Sequence, residues 1–181
     1  MTYKARDRRL VKPFGALAGL SLLALVLVGE PATAHAAPKY YYIKNHATGK
    51  CLDIPYGSRD NGANVQQWQC HAVAQELFYF ISVESEFGPY QIRSAATGKC
   101  IDVTAYSNEN GANIQQWTCS GRTNQLFRLD YVDDGSRFRI VNVGSGKCLD
   151  VPYGSPANGA NVQQWACSEN AQQKWTLSQT P

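Results

Sequence analysis

The sequence predicts an all-β domain made of three copies of one unit sharing a core, and three observations predict it. The stretch NGANVQQWQC at 61–70 returns as NGANIQQWTC at 110–119 and as NGANVQQWAC at 158–167, forty-nine and then forty-eight positions on. Spacings of this size mark repeats whose units cannot bury an apolar face alone. Short alternating stretches are separated by turns rich in Gly, Asn and Ser, an all-β pattern. Beyond the first thirty-six residues, no window sustains a helical period of apolar residues. Twelve short strands in three equivalent units predict a closed, three-fold pseudo-symmetric arrangement, which removes exposed sheet edges.

Residues 1–36 read as a secretory leader. Lys4, Arg6, Arg8, Arg9 and Lys12 precede an apolar run from Phe14 to Val28, and Ala34-His35-Ala36 places small residues at a cleavage point after Ala36. The run of fifteen residues is short of the roughly twenty needed to span a bilayer, and no cysteine near the cleavage point offers a lipid anchor. Five of the 17 Lys/Arg and two of the 14 Asp/Glu fall in the leader, so the mature chain keeps twelve of each. The overall +3 is therefore a targeting feature and argues for no nucleic-acid or membrane partner. The remaining residues, 37–181, suit one domain.

Within it the copies run from about 39 to 87, 88 to 134 and 135 to 181. Each opens on an alternating strand: Tyr41-Tyr42-Ile43, Tyr90-Gln91-Ile92, Phe138-Arg139-Ile140. A small-residue turn follows, then Cys51-Leu52-Asp53-Ile54, Cys100-Ile101-Asp102-Val103 or Cys148-Leu149-Asp150-Val151. After the Asn-Gly turn comes the Val/Ile-Gln-Gln-Trp strand, and each copy closes on Leu77-Phe78-Tyr79-Phe80, Leu126-Phe127-Arg128-Leu129 or Lys174-Trp175-Thr176-Leu177. The predicted core recurs in register: Ile43/Ile92/Ile140, Leu52/Ile101/Leu149, Ile54/Val103/Val151, Val65/Ile114/Val162, Phe78/Phe127/Trp175 and Phe80/Leu129/Leu177. All six cysteines lie in the mature part. Export makes disulfides their default chemistry, and pairing Cys51–Cys70, Cys100–Cys119 and Cys148–Cys167 treats the three copies alike. Each closed loop of that size adds about 3 kcal/mol in the chain-entropy model. A metal is not expected: there is no C-x-x-C, and His46 and His71 do not recur.

Core packing does not account for a recurring aspartate. Asp53, Asp102 and Asp150 stand between core residues on a strand, so a period of two turns them to the other face. Gln66 with Trp68, Gln115 with Trp117 and Gln163 with Trp165 likewise share a face. A disulfide between the two strands brings carboxylate, amide and indole to one side of each copy. Such a group suits a sugar: the carboxylate accepts from neighbouring hydroxyls, the amide gives and takes, and the ring offers its negative face to C–H groups. The bland readings are a packing tryptophan and an aspartate that pins a turn. Three-fold co-occurrence argues for a site, although symmetry would also repeat a structural device. Gly62, Gly111 and Gly159 read as backbone geometry only.

The copies resemble the ricin B-chain-type lectin domain, carbohydrate-binding module family 13, in G-K-C-[LI]-D-V, N-G-x-x-[VI]-Q-x-W-x-C and the closing Q-x-W, over essentially the whole mature chain. The resemblance implies a β-trefoil, six strands in a barrel and six in a hairpin cap, with disulfides inside each copy. It places carbohydrate-binding residues at Asp102, Gln115, Trp117, Asn124 and Gln125 in copy two. In copy three they fall on Asp150, Gln163, Trp165, Gln172 and Gln173, and in copy one on Asp53, Gln66, Trp68, Gln75 and Glu76. The chain departs from the pattern where Q-x-W becomes Gln125-Leu126-Phe127 and Glu76-Leu77-Phe78, and where Gln75 and Gln172 replace an Asn. Gln67, Gln116 and Gln164 occupy a position often apolar in the family; if inward, they need hydrogen-bond partners.

The expected protein is a secreted, extracellular, monomeric lectin with up to three shallow sites, no catalysis, no cofactor and no metal. Its partner is a carbohydrate, with galactose-type sugars or xylan as the family's suggestion. An enzyme is disfavoured, since nothing outside the repeats remains to hold a catalytic domain and the two mature histidines have no evident partner. The alternative is a protein-binding trefoil such as a protease inhibitor, although the segments between copies, Val83–Pro89 and Asp130–Ser136, are short for a reactive loop.

Overall fold

The computed structural model describes residues 37–84, 88–133 and 135–179; the leader expected over residues 1–36 lies outside them. Copy one supplies β1 (Tyr41–Asn45), β2 (Cys51–Asp53), β3 (Gln66–Trp68) and β4 (Leu77–Ser82). Copy two supplies β5 (Tyr90–Ser94), β6 (Cys100–Val103), β7 (Ile114–Trp117) and β8 (Phe127–Val132). Copy three supplies β9 (Arg137–Asn142), β10 (Cys148–Asp150), β11 (Ala160–Asn161), β12 (Gln163–Trp165) and β13 (Trp175–Gln179). The thirteenth strand arises because the third strand of copy three is interrupted at Val162. Its extra stretch, β11, pairs with β3 of copy one, and single bridges Asn64–Gln115 and Asn113–Gln163 hold the equivalent places elsewhere.

Six strands close a barrel. β1 pairs with β4, β4 with β5, β5 with β8, β8 with β9, β9 with β13, and β13 returns to β1, all antiparallel. The circuit leaves no barrel strand with a free edge, which answers the aggregation hazard of short strands. The hairpins β2–β3, β6–β7 and β10–β12 cap one end and are tied to the barrel through Cys51, Cys100 and Cys148. The fold is a β-trefoil.

Five of the six predicted core triplets are fully buried. The sixth, Phe80, Leu129 and Leu177, is partly buried and packs against that cluster. Each fully buried aliphatic or aromatic side chain contributes about 1.5–3 kcal/mol. Cysteines pair within copies, Cys51–Cys70, Cys100–Cys119 and Cys148–Cys167. Trp175 is buried, and its indole N–H donates to Leu149 O.

The repeated decapeptide is where copies are joined. Around the pseudo-three-fold axis, Val65 N–H donates to Ile114 O, Ile114 N–H to Val162 O and Val162 N–H to Val65 O, at 3.0–3.1 Å. Gln67, Gln116 and Gln164 point inward and are fully buried. Each amide oxygen accepts the hydroxyl of its own copy's turn, from Thr48, Thr97 or Ser145. Each amide nitrogen donates to two carbonyls of another copy: Gln67 to Ser155 and Ala157, Gln116 to Ser58 and Asp60, Gln164 to Ser107 and Glu109. A glutamine supplies the donor that an apolar residue would deny to the Ser155, Ser58 and Ser107 carbonyls, while Ala157, Asp60 and Glu109 O also accept a backbone N–H within their own turns.

Candidate functional site

Each cap hairpin carries an open hollow on its outer side. On β2 and β3 the register sets Asp53 opposite Gln66, and the same pairing puts Asp102 opposite Gln115 and Asp150 opposite Gln163. The glutamine amide donates to the carboxylate at 2.7, 3.0 and 2.8 Å in copies one to three. The three carboxylates are buried at the floor of the hollows, while Trp68, Trp117 and Trp165 remain 37, 43 and 44% exposed. The sequence reading of one outer face therefore describes the geometry: acid below, amide beside it, half-open indole at the wall.

Each indole rests on another copy. A Cβ placed on Gly62 would lie 3.7 Å from the ring of Trp117 and 3.7 Å from Gln115 Oε1. Gly111 stands in the same way against Trp165, and Gly159 against Trp68. These glycines have positive φ, as the turn requires, and they also back the tryptophan of a neighbouring hollow. Each hollow is thus lined by one copy and backed at its tryptophan by another.

Around that common frame the hollows differ. In copy two, Asp102 accepts from Gln115, Asn124 and Gln125, the last two at 2.7 and 2.9 Å. In copies one and three, Gln75 and Gln172 line the hollows but do not bond the carboxylate; their amide oxygens lie beside Gly57 and Gly154. Gln173 is buried and braces backbone, accepting from Ser168 N–H and donating to Ala166 O. Gln125 makes the same contacts with Ser120 and Thr118 besides reaching Asp102. Copy one has Glu76 there, buried, accepting from His71 N–H at 2.7 Å. Its second oxygen has no proton to offer when ionised, and it faces His71 Nδ1 at 3.8 Å. Burial pushes Asp53 above its ordinary carboxylate value, and the charge of Glu76 pushes the same way against the opposing Gln66 hydrogen bond and His71.

The sequence reading missed one element of each hollow. The chain after the aspartate kinks through two consecutive left-handed residues, Tyr56-Gly57, Ala105-Tyr106 and Tyr153-Gly154. A non-glycine residue there costs on the order of 1–3 kcal/mol. Tyr56 and Tyr153 line hollows one and three with their rings fully exposed. In copy two the tyrosine occupies the glycine slot instead. Tyr106 is half covered, its hydroxyl accepting from Arg122 at 2.8 Å and its ring 5.6 Å under the guanidinium. The repeated Pro-Tyr-Gly at 55–57 and 152–154 was the available signal.

The hollows enclose about 310, 630 and 470 Å³ in copies one, two and three, within the range of small-ligand sites. Among the described residues no three His, Cys, Asp or Glu side chains converge as metal ligands, and no helix is long and apolar enough to cross a membrane.

A three-fold trefoil with one acid, amide and indole hollow per copy defines a class of ligand-binding domain. The chain belongs to the ricin-type β-trefoil lectin domain-like family, whose model matches residues 28–117, 75–165 and 123–181. It is similar to the designed three-fold symmetric protein ThreeFoil, at 33% identity over 76% of this chain and 96% of that one, with a TM-score of 0.73. It is also similar to an exo-β-1,3-galactanase from Clostridium thermocellum, at 29% identity and TM-score 0.75; the match covers 80% of this chain and 31% of the galactanase. The ricin B-like lectin of Macrolepiota procera, solved in complex with lactose, shares the fold at 20% identity and TM-score 0.65, over 82% of this chain and all of that one. No curated protein sequence matches this one.

Proposed function

We infer that the mature chain is a secreted, non-catalytic carbohydrate-binding domain with up to three shallow sites, one per copy. The observation that carries this reading is the three-fold recurrence of a buried, amide-held carboxylate beneath a half-exposed indole. An ionised carboxylate with free lone pairs accepts two sugar hydroxyls. The indole adds apolar contact that water does not contest strongly. Family membership supports the reading, as do a lactose-bound relative of the same fold and a galactanase carrying a similar domain. Galactose-type sugars and xylan are the ligand classes to try first.

Asp53, Gln66 and Trp68, with Asp102, Gln115, Trp117 and Asn124, and with Asp150, Gln163 and Trp165, form the contact sets. Gln125 acts mainly by holding Asp102, and Gln173 and Glu76 by bracing the backbone beside their hollows. One shallow site binds on the order of millimolar, about −4 kcal/mol; three on one rigid body gain by multivalency on a polymer. The leader expected at 1–36 and the three disulfides fit an oxidising, extracellular destination.

Retention of the mature protein on a glycan array or on xylan tests this. Retention should be lost when Trp68, Trp117 and Trp165 are all replaced by Ala with the fold intact. Retention that survives the triple replacement would contradict the reading.

A further inference from the structure

We propose that Tyr56 and Tyr153 are second sugar platforms, so that hollows one and three each hold two consecutive rings of a glycan chain, one on the tryptophan and the next on the tyrosine. The proposal rests on the sugar-binding reading above and deepens it.

Two observations carry it. Both tyrosines adopt left-handed backbone, with φ and ψ both positive, a region where a β-carbon is strained. Neither ring recovers that strain through packing, since each stands entirely in solvent. A strained residue that persists without intramolecular contacts is a candidate for use by a ligand. Their position gives the ligand. Each ring lines the same hollow as the carboxylate and indole of its copy, beside Asp53 and Trp68 or Asp150 and Trp165. A bare aromatic face bordering a sugar site offers a further pyranose the same C–H contact that the indole offers the first. The adjoining Pro55 and Pro152 fix the approach to the kink, and Gly57 and Gly154 complete it without side chains.

Copy two is the internal contrast. Its kink carries Ala105 where Tyr56 and Tyr153 stand, and Tyr106 is held by Arg122 with the guanidinium across its face. That face is already taken, so hollow two reads a single ring.

The test is calorimetric titration of the mature protein with galactose and lactose, and in parallel with xylose and xylobiose, for wild type, Tyr56→Ala/Tyr153→Ala, Tyr56→Phe/Tyr153→Phe and Tyr106→Ala. In the series the protein binds, the disaccharide should bind about 3–10-fold tighter than the monosaccharide. The double Ala variant should lose that preference while keeping monosaccharide affinity, and the double Phe variant and Tyr106→Ala should keep it. A disaccharide preference absent in wild type, or unchanged in the double Ala variant, overturns the proposal while leaving sugar binding in place. Binding of none of the four probes by wild type would instead remove the sugar-binding reading and the proposal with it.

Discussion

Adjacent glutamines on one short strand do opposite work. Gln115 looks outward and steadies a carboxylate in a hollow open to water, whereas Gln116 looks inward and, fully buried, bonds one hydroxyl of its own copy and two carbonyls across a copy boundary. The period of two along β7 separates them. One face of the repeated segment assembles the trefoil, and the other dresses it. The inward face is nearly invariant among copies, down to the Thr or Ser that donates to each buried amide. The outward face keeps its Gln and Trp in every copy, and the drift lies in the segments that flank it around the hollow, with Glu76 for Gln125, Gln75 for Asn124 and Tyr56 for Ala105.

The largest expected effect tests that division. Gln116→Ala strips buried partners from Thr97, Ser58 and Asp60 and should cost about 3 kcal/mol or more in chemical denaturation. Gln115→Ala should cost under about 1 kcal/mol, since Asp102 keeps its bonds from Asn124 and Gln125. Equal losses for the two would end the distinction between faces. Trp117→Ala comes next: it should weaken sugar binding at hollow two about tenfold, read by titration with hollows one and three disabled, and leave the denaturation midpoint close to wild type.

A smaller effect separates hollow one from hollow two. Glu76→Gln supplies the N–H that Gln125 gives Asp102 and should raise stability by about 1 kcal/mol at pH 7, measurable as a higher melting temperature.

The pH dependence of Asp53 is the finest probe. Burial raises its folded-state value above the ordinary 3.8, with Glu76 adding to the rise. The folded protein therefore holds this proton more tightly than the unfolded chain does. The stability so gained is complete below 3.8 and is lost as pH rises through the folded value. Asp53→Asn should accordingly be more stable than wild type near neutral pH and show no advantage below 3.8. Sugar affinity at hollow one should fall as pH drops through the same window, because the protonated acid loses its acceptor charge.

How far the sequence could be read follows from which forces are local. Repeat period, alternation and in-register apolar triplets determine the strands and a closed three-fold arrangement, while the barrel-and-cap form of that arrangement came from the family resemblance. Asp53, Gln66 and Trp68 could be placed on one face because strand periodicity is local and Cys51–Cys70 spans the same two strands. What escaped was contact between copies. The partners of Gln67 lie 88 and 90 positions away, and no spacing within one copy reveals that Gly159 backs Trp68. The tyrosines escaped for another reason: a left-handed tyrosine runs against backbone preference, so local rules argue away from the conformation found.

The chain holds four tryptophans, and they supply the most direct test. Three stand at the hollows, while Trp175 is buried with its indole N–H bonded to Leu149 O. In ¹⁵N–¹H spectra recorded while lactose or xylobiose is added, the indole signals of Trp68, Trp117 and Trp165 should move with a saturating dependence, and that of Trp175 should stay. Four unmoved signals up to high sugar concentration, or movement of Trp175 alone, would contradict the account.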